Sequence, residues 1–505
     1  MSARIRSMTV QALAASLPDA TVLGDKREVI TDITYDSRSV APGSLFAALR
    51  GAALDGHAYA ADAERRGAAA MLVEEPVPSP LPQIIVSDSR ASLARLASAF
   101  FGDPSRELAV IGITGTDGKT TTSYLVSHVL SAAGLKTGMV GTVAVRIDGK
   151  DDLHSSRQTT PESSDIQRYL RLMVEAATDV GILEATSHGL AMHRLDHVAF
   201  RVGAVTNITH EHLDYHGSIE AYRRAKAMLI ERVAAGGGTV VINADDAGAL
   251  AMLPFAAGAK VTTYSMAGRS ADIQARDLDM DGQGSRFMLH VAGIGQKRTT
   301  LPYLGDFNVA NALCAAGTAL AAGVDLDTVA AALSTAPPVP GRMAAVEAGQ
   351  PFAVVVDYAH TPDALQKVLV LLRGLYPAGR LISVFGSAGE RDVEKRPLQG
   401  AVSARLADIS VITSEDPRFE DADAIIAEIA CGAREAGAIQ GQTLFMRTDR
   451  RDAIQLAFEL ARPGDCVLLA GKGHEGSIIQ GRQKRSWDEA SVAHELLEEI
   501  GYSTQ

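Results

Sequence analysis

One stretch constrains this chain more than any other. Leu108-Ala109-Val110-Ile111-Gly112-Ile113-Thr114 runs directly into Gly115-Thr116-Asp117-Gly118-Lys119-Thr120-Thr121. An apolar run of this kind reads as a strand buried on both faces. The glycines after it let backbone N–H groups close on phosphate oxygens, and the helix that follows turns its positive end to the same place. Lys119 has the charge to answer β- and γ-phosphates, and the Thr120 hydroxyl can ligate Mg²⁺. Strict Walker spacing asks for glycine at 113, where Ile113 stands, so the loop is a variant of that motif.

The same strand–loop–helix logic recurs along the chain. VGILEAT, VGAVTNIT and GTVVINAD are further strand candidates with helical patterns between them, as in a doubly wound α/β domain. The Pro337-Pro338-Val339-Pro340-Gly341-Arg342 junction breaks this segment. Beyond it, FAVVVDYA, RLISVFGS, ISVITSED and DCVLLAGKG alternate with helices to form a second, Rossmann-like unit. Before it, residues up to Asp103-Pro104 mix short strands and helices. At roughly 100–200 residues per domain, 505 residues make three or four domains. The expected boundaries are 1–107, 108–340 and 341–505. Ligands in such sheets sit at the C-terminal strand ends, so Asp357, Gly386, Glu415 and Gly471 become candidates.

Composition excludes several classes. A net charge of -12, from 48 Lys plus Arg against 60 Asp plus Glu, speaks against nucleic acid as a partner. Three scattered cysteines, Cys314, Cys431 and Cys466, form neither a disulfide framework nor a zinc site. No run of about 18 apolar residues predicts a membrane span. The N-terminus reads as an ordinary first helix rather than a leader. A reduced cytoplasmic setting is the expectation.

The motifs add up to a resemblance. The TGTDGKTT loop resembles that of the Mur ligase superfamily, which also includes folylpolyglutamate synthases. Asn207-Ile208-Thr209-His210-Glu211-His212-Leu213-Asp214 is similar to its N-x-T-x-D-H-L-D element, with Glu at 211 for Asp. Fourteen residues past His212 stands Lys226, where the superfamily carries a carbamylated lysine (N6-carboxylysine) formed with CO₂. The resemblance implies ATP and two Mg²⁺ ions, held by Thr120, Glu184, His212 and carbamylated Lys226. It implies ATP contacts from Gly115, Thr116, Asp117, Gly118, Lys119, Thr120, Thr121, Asn308, Asn311, Arg342 and Asp357. Lys119, Glu184, His212 and Lys226 would be the catalytic set. The chemistry is reasonable: a carboxylate approaching a γ-phosphate needs positive charge between the two.

Asp36-Ser37-Arg38, Pro42-Gly43-Ser44-Leu45-Phe46 and Asp55-Gly56-His57 resemble the uridine-binding domain of the MurE type. That type adds the third residue to UDP-N-acetylmuramoyl-L-alanyl-D-glutamate. Tyr35, Ser37, Ala52, Ala53 and Leu54 match its UDP contacts. Gln158, Thr159, Thr160, Thr186, Met192 and Arg194 match its contacts to the muramoyl dipeptide. Met192 stands where the type carries Gln and Gln158 where it carries Asn, so the amide contact at 192 is lost.

For the incoming amino acid, Arg391, Glu415, Asp416, Pro417, Arg418, Gly471 and Glu475 match the binding set. Glu415-Asp416-Pro417-Arg418 replaces the D-N-P-R of enzymes that use meso-diaminopimelate. An added acid at 416 and a longer one at 415 favour a lone distal ammonium, as in L-lysine or L-ornithine. Arg418 points the other way, to diaminopimelate. The expected reaction is ATP-dependent, ADP-forming amide ligation through an acyl phosphate, with His360 one candidate for the base. The alternatives are a diaminopimelate-adding enzyme of the same type and a folylpolyglutamate synthase-like ligase.

Overall fold

The structure, a computed structural model, describes residues 7–51, 54–152, 158–209, 211, 213–281 and 284–502. The chain divides into two compact units. One comprises 1–278, 286–301 and 306–336; the other comprises 279–285, 302–305 and 337–505.

The first unit opens with a five-stranded sheet. Thr21–Leu23, Asp32–Thr34, Ser44–Ala47, Ala70–Val73 and Gln83–Ile85 lie in the order first, fifth, fourth, third, second. The first helix is Val10–Ala14, with the Thr9 hydroxyl capping it. Helix Ser89–Phe101 buries Leu93, Leu96, Phe100 and Phe101 against this sheet, and Asp88 caps it.

The larger sheet is built around β1 (Ala109–Thr114). After it come α1 (Lys119–Ala132), β2 (Thr137–Val140), β3 (Val180–Glu184), α2 (Ser187–Ala191), β4 (Val202–Val205) and α3 (Ile219–Ala235). Strand β1 lies between β3 and β4, parallel to both. The chain leaves β1 for one side of the sheet and later returns to the other. That reversal opens a crevice at the C-terminal end of β1, where the glycine loop lies. The sheet continues through Thr239–Asn243 and Lys260–Ser265, and α4 (Asp306–Ala321) packs against α1.

The second unit holds a six-stranded sheet, parallel except for one edge. Its strands are β5 (Ala353–Asp357), β6 (Leu381–Phe385), β7 (Ile409–Thr413), β8 (Leu444–Arg447) and β9 (Cys466–Ala470), plus the antiparallel edge Ala344–Ala345. Strand β9 lies between β5 and β6. Asp357, Gly386, Glu415 and Gly471 therefore share the C-terminal edge of this sheet. The buried valines, leucines and isoleucines of these strands face helices on both sides, which is why they read as unbroken apolar runs.

Candidate active site

In the first unit the loop after β1 is held from all sides. Gly118 has φ +81°, and a Cβ there would stand 2.2 Å from Asn311 Oδ1. Glycine is required on both counts. Asn311 Nδ2 donates to Asn308 Oδ1 at 3.2 Å, so both residues expected near the nucleotide lie behind this loop, buried. The Asp117 amide donates to Asn207 Oδ1 at 2.9 Å. Lys119 Nζ folds back onto the carbonyls of Gly115 (3.0 Å) and Thr116 (2.8 Å). Thr121 is buried beside Thr120 at the start of α1.

Thr120 and Glu184 come together as oxygen donors. Thr120 Oγ1 donates to Glu184 Oε2 at 3.1 Å. Both are buried. Thr142, absent from the expectations above, completes the group. Its amide donates to Glu184 Oε1 at 3.1 Å and its hydroxyl to Glu184 Oε2 at 2.7 Å. The same hydroxyl lies 3.2 Å from Thr120 Oγ1 and 3.1 Å from Thr159 Oγ1. Thr142 thus joins the phosphate loop to the Thr159-Thr160-Pro161 element. Thr160 Oγ1 in turn donates to the Glu184 carbonyl at 2.7 Å and lies 2.9 Å from Thr186 Oγ1.

Lys226 is buried on α3. Its Nζ donates to the Gly115 carbonyl at 2.7 Å and lies 4.7 Å from the centre of the Tyr222 ring. Burial pushes its pKa well below the ordinary lysine value, and the Lys119 charge adds to the shift. Tyr222, one turn earlier, ties α3 to the loop through a 2.9 Å bond to Thr116 Oγ1. Ala52, Ala53 and His212 lie outside the described residues.

The uridine and dipeptide residues extend this region. Arg194, buried, donates through Nη1 to the Thr160 carbonyl at 3.0 Å and through Nη2 to Met192 Sδ at 3.4 Å. It is also ion-paired with Glu162 at 2.9 Å. Glu162 takes a second cation, Arg90 of the N-terminal segment, at 3.1 Å. Tyr35 OH donates to Asp165 Oδ2 at 3.2 Å, and burial pushes its pKa up. Ser37 is buried, whereas Leu54 and Gln158 are exposed. Glu162 and Asp165 escaped the sequence reading, although Glu162 directly follows the Thr-Thr-Pro element.

The remaining expected residues belong to the second unit. Asp357 accepts from the amides of Met343 and Ala359, both at 2.8 Å. The Arg342 guanidinium stacks 4.7 Å from the centre of the Tyr358 ring. Arg391 is exposed. Glu415 and Asp416 are buried and do not cap a helix; the next one starts at Ala422 with Asp421 as its cap. Asp416 does not offer an open charge. Its Oδ1 accepts from Lys472 Nζ at 3.0 Å and from the Ile479 amide at 2.9 Å. Lys472 also binds Glu475 Oε2 at 2.6 Å. Arg418, with φ +53°, reaches Glu390 at 4.0 Å. Pro417 is buried between Asp416 and Arg418. Behind the sheet edge, Arg450 pairs with Glu489 at 2.6 Å, both side chains fully buried, and donates to the Ala470 carbonyl at 2.8 Å.

A glycine loop at the switch point of a parallel sheet, followed by a second parallel α/β unit, defines an enzyme of the nucleotide-dependent α/β class. Comparison with known proteins narrows the class. Residues 29–101 match the Mur ligase family catalytic domain, 113–319 the Mur ligase middle domain, and 341–473 the Mur ligase glutamate ligase domain. The UDP-N-acetylmuramyl-tripeptide synthetase of Roseiflexus sp. (strain RS-1) is 47% identical over 488 residues, 94% of this chain and 95% of that protein. The UDP-N-acetylmuramoyl-L-alanyl-D-glutamate--2,6-diaminopimelate ligase of Gloeobacter violaceus is 41% identical over 486 residues, 95% of each. A solved structure of a ligase of that same name superposes with a TM-score of 0.66 at 30% identity, covering 98% of this chain and all of the other. The chain belongs to the Mur ligase family, MurE type. It is an ATP-dependent ligase that forms amide bonds. Among the described residues no helix is long and apolar enough to cross a membrane.

Proposed function

We propose that the chain, a cytoplasmic monomer, joins the α-amine of a diamino acid to the D-glutamyl γ-carboxylate of UDP-N-acetylmuramoyl-L-alanyl-D-glutamate. Residues 1–107 take the UDP end, 108–340 the ATP, and 341–505 the amino acid. The observation that carries this reading is the row Thr120, Glu184, Thr142, Thr159. It runs from the phosphate loop to the dipeptide element, and so brings a substrate carboxylate to the γ-phosphate.

The substrate carboxylate attacks the γ-phosphorus, ADP leaves, and an acyl phosphate remains. The α-amine then adds to the acyl carbon, loses a proton, and expels phosphate. Lys119 and the loop amides hold the phosphates, while Arg194 and the Thr159–Thr160 hydroxyls orient the dipeptide. Thr120 and Glu184, adjacent in the site, present only oxygen, the donor set Mg²⁺ prefers, and would hold one ion. His212 and carbamylated Lys226 would hold a second. Bound there, Mg²⁺ supplies the charge that offsets repulsion between carboxylate and phosphate. Burial of Lys226 supports the carbamate, because a neutral amine is the form that adds CO₂.

The expectation of L-lysine or L-ornithine leaned on two acids. Asp416 is neutralised by Lys472, whereas among the described residues Arg418 is ion-paired only with Glu390, at 4.0 Å. This supports meso-diaminopimelate as the first reading, its distal carboxylate on Arg418 and its distal ammonium on Glu415. L-Lysine or L-ornithine stands second, on the strength of the buried Glu415 Oε2, which has no hydrogen-bond partner among the described residues. The match of residues 29–101, ahead of the ATP-binding segment, disfavours a folylpolyglutamate synthase-like reading. Phosphate release is measured with the UDP-dipeptide, ATP and Mg²⁺ against each amino acid, and the product mass is read. A tripeptide product with diaminopimelate is expected. Turnover with lysine or ornithine alone reverses the order, and no product with any of them refutes the reading.

A further inference from the structure

Two carboxylates of the second unit, Asp416 and Glu475, gather around one lysine, and a third, Glu415, stands beside Gly471. Lys472 is 0% exposed. Its Nζ donates to Asp416 Oδ1 (3.0 Å), Glu475 Oε2 (2.6 Å) and the Ser477 carbonyl (2.7 Å). An ammonium has three protons, so Lys472 keeps none for a ligand. Glu415 is different. It is 6% exposed, and its Oε2 has no hydrogen-bond partner among the described residues. Gly471, at φ +99°, leaves the space beside it open; a Cβ there would stand 2.9 Å from Oε2. The neighbouring cations donate elsewhere. Lys395 Nζ reaches the His360 carbonyl at 3.1 Å, and Arg450 is committed to Glu489.

We propose that Lys472 is a positioning residue that determines amino-acid specificity. It ties up Asp416 and Glu475 from within, so that the carboxylate left for the substrate is Glu415, whose Oε2 has no hydrogen-bond partner among the described residues, on the same loop after β7 as Arg418. Such a pair selects a distal group bearing both an ammonium and a carboxylate. This inference rests on the diamino-acid ligase reading above. Without Lys472, two more carboxylates turn their charge on the ligand, and a lone distal ammonium becomes the better match. The acidic replacement at 416 is then an exchange within a buried ion cluster rather than a change in what the ligand meets.

The test compares kcat/KM for L-lysine and for meso-diaminopimelate in the wild type, K472M, D416N and K472M/D416N. Both substrates are measured on one preparation, so the folded fraction cancels from their ratio. An amino acid that is not turned over is measured by its inhibition constant against the other. In K472M the lysine-to-diaminopimelate ratio should rise at least about tenfold, through KM. In K472M/D416N, which restores the charge balance, it should fall back towards wild type. Should K472M fail to fold, the step from D416N to K472M/D416N removes the same cation and must raise the ratio. Equal losses for both amino acids, with the ratio unmoved, would make Lys472 a structural residue only and overturn the proposal. A wild type that forms no product with any diamino acid refutes the ligase reading beneath it instead.

Discussion

Substitution of Thr142 by valine tests the row that links phosphate loop to dipeptide. Valine keeps the branched shape and the backbone N–H to Glu184 Oε1 at 3.1 Å. It loses the hydroxyl that donates to Glu184 Oε2 at 2.7 Å and contacts Thr120 and Thr159 at 3.2 and 3.1 Å. A hydrogen bond to a charged acceptor contributes about 1.5–3 kcal/mol. At one decade per ~1.4 kcal/mol, losing it from the reacting arrangement costs about 10- to 150-fold in rate. Thr142 is half-buried at the sheet edge, so global stability should hardly change. The assay is phosphate release with each substrate varied in turn, beside thermal melting. A fall in kcat with little change in KM for ATP is expected, and Thr142→Ser should recover most of it. If T142V keeps wild-type kcat, or if serine fails to rescue, Thr142 does not orient Glu184 and the row has no mechanistic meaning.

Three further outcomes follow from the geometry. Gly118→Ala places a Cβ against Asn311 Oδ1 in a left-handed backbone; KM for ATP should rise by at least about tenfold with little loss of fold, as titration with the nucleotide would read. Glu489→Gln leaves Arg450 buried beside a neutral partner, a loss on the order of 3–5 kcal/mol. The chain's one tryptophan, Trp487, donates to Glu489 Oε2, so its fluorescence should report an earlier denaturant midpoint. The third concerns pH. The hydrogen bond to Asp196 raises His193 above its ordinary pKa of 6.5. That contribution to stability is complete below 6.5 and is lost as pH climbs through the raised value. His197, lowered by burial, acts below 6.5 and with the opposite sign. The wild type should therefore lose melting temperature above 6.5 relative to His193→Gln, and parallel profiles there would refute the assignment.

What the sequence made legible was what is local. The run from Leu108 to Thr121 places a strand, a loop and a helix start within one short window, and each residue type there has one good use. The alternating apolar runs of the second unit were equally plain, because strands buried on both faces have no polar side to hide. Thr142 was not legible. It belongs to the site only because β2 ends beside β3, which brings it onto a carboxylate 42 residues away. Nothing in its neighbours marks it.

Charge is the instructive case. Replacing a signature Asn by Asp416 reads, residue by residue, as one more negative charge for the ligand. The cation that answers it is Lys472, 56 residues later, on the loop after the neighbouring-but-one strand. Both loops end parallel strands at one sheet edge, so a change in either is felt by the other before any ligand sees it. A buried carboxylate without a partner costs several kcal/mol, and this cost favours a counter-ion from within the fold over one from the substrate. Glu415, whose Oε2 has no hydrogen bond among the described residues, is then the residue whose balance depends on what binds, and specificity should follow Glu415 and Arg418 rather than the net charge of the motif.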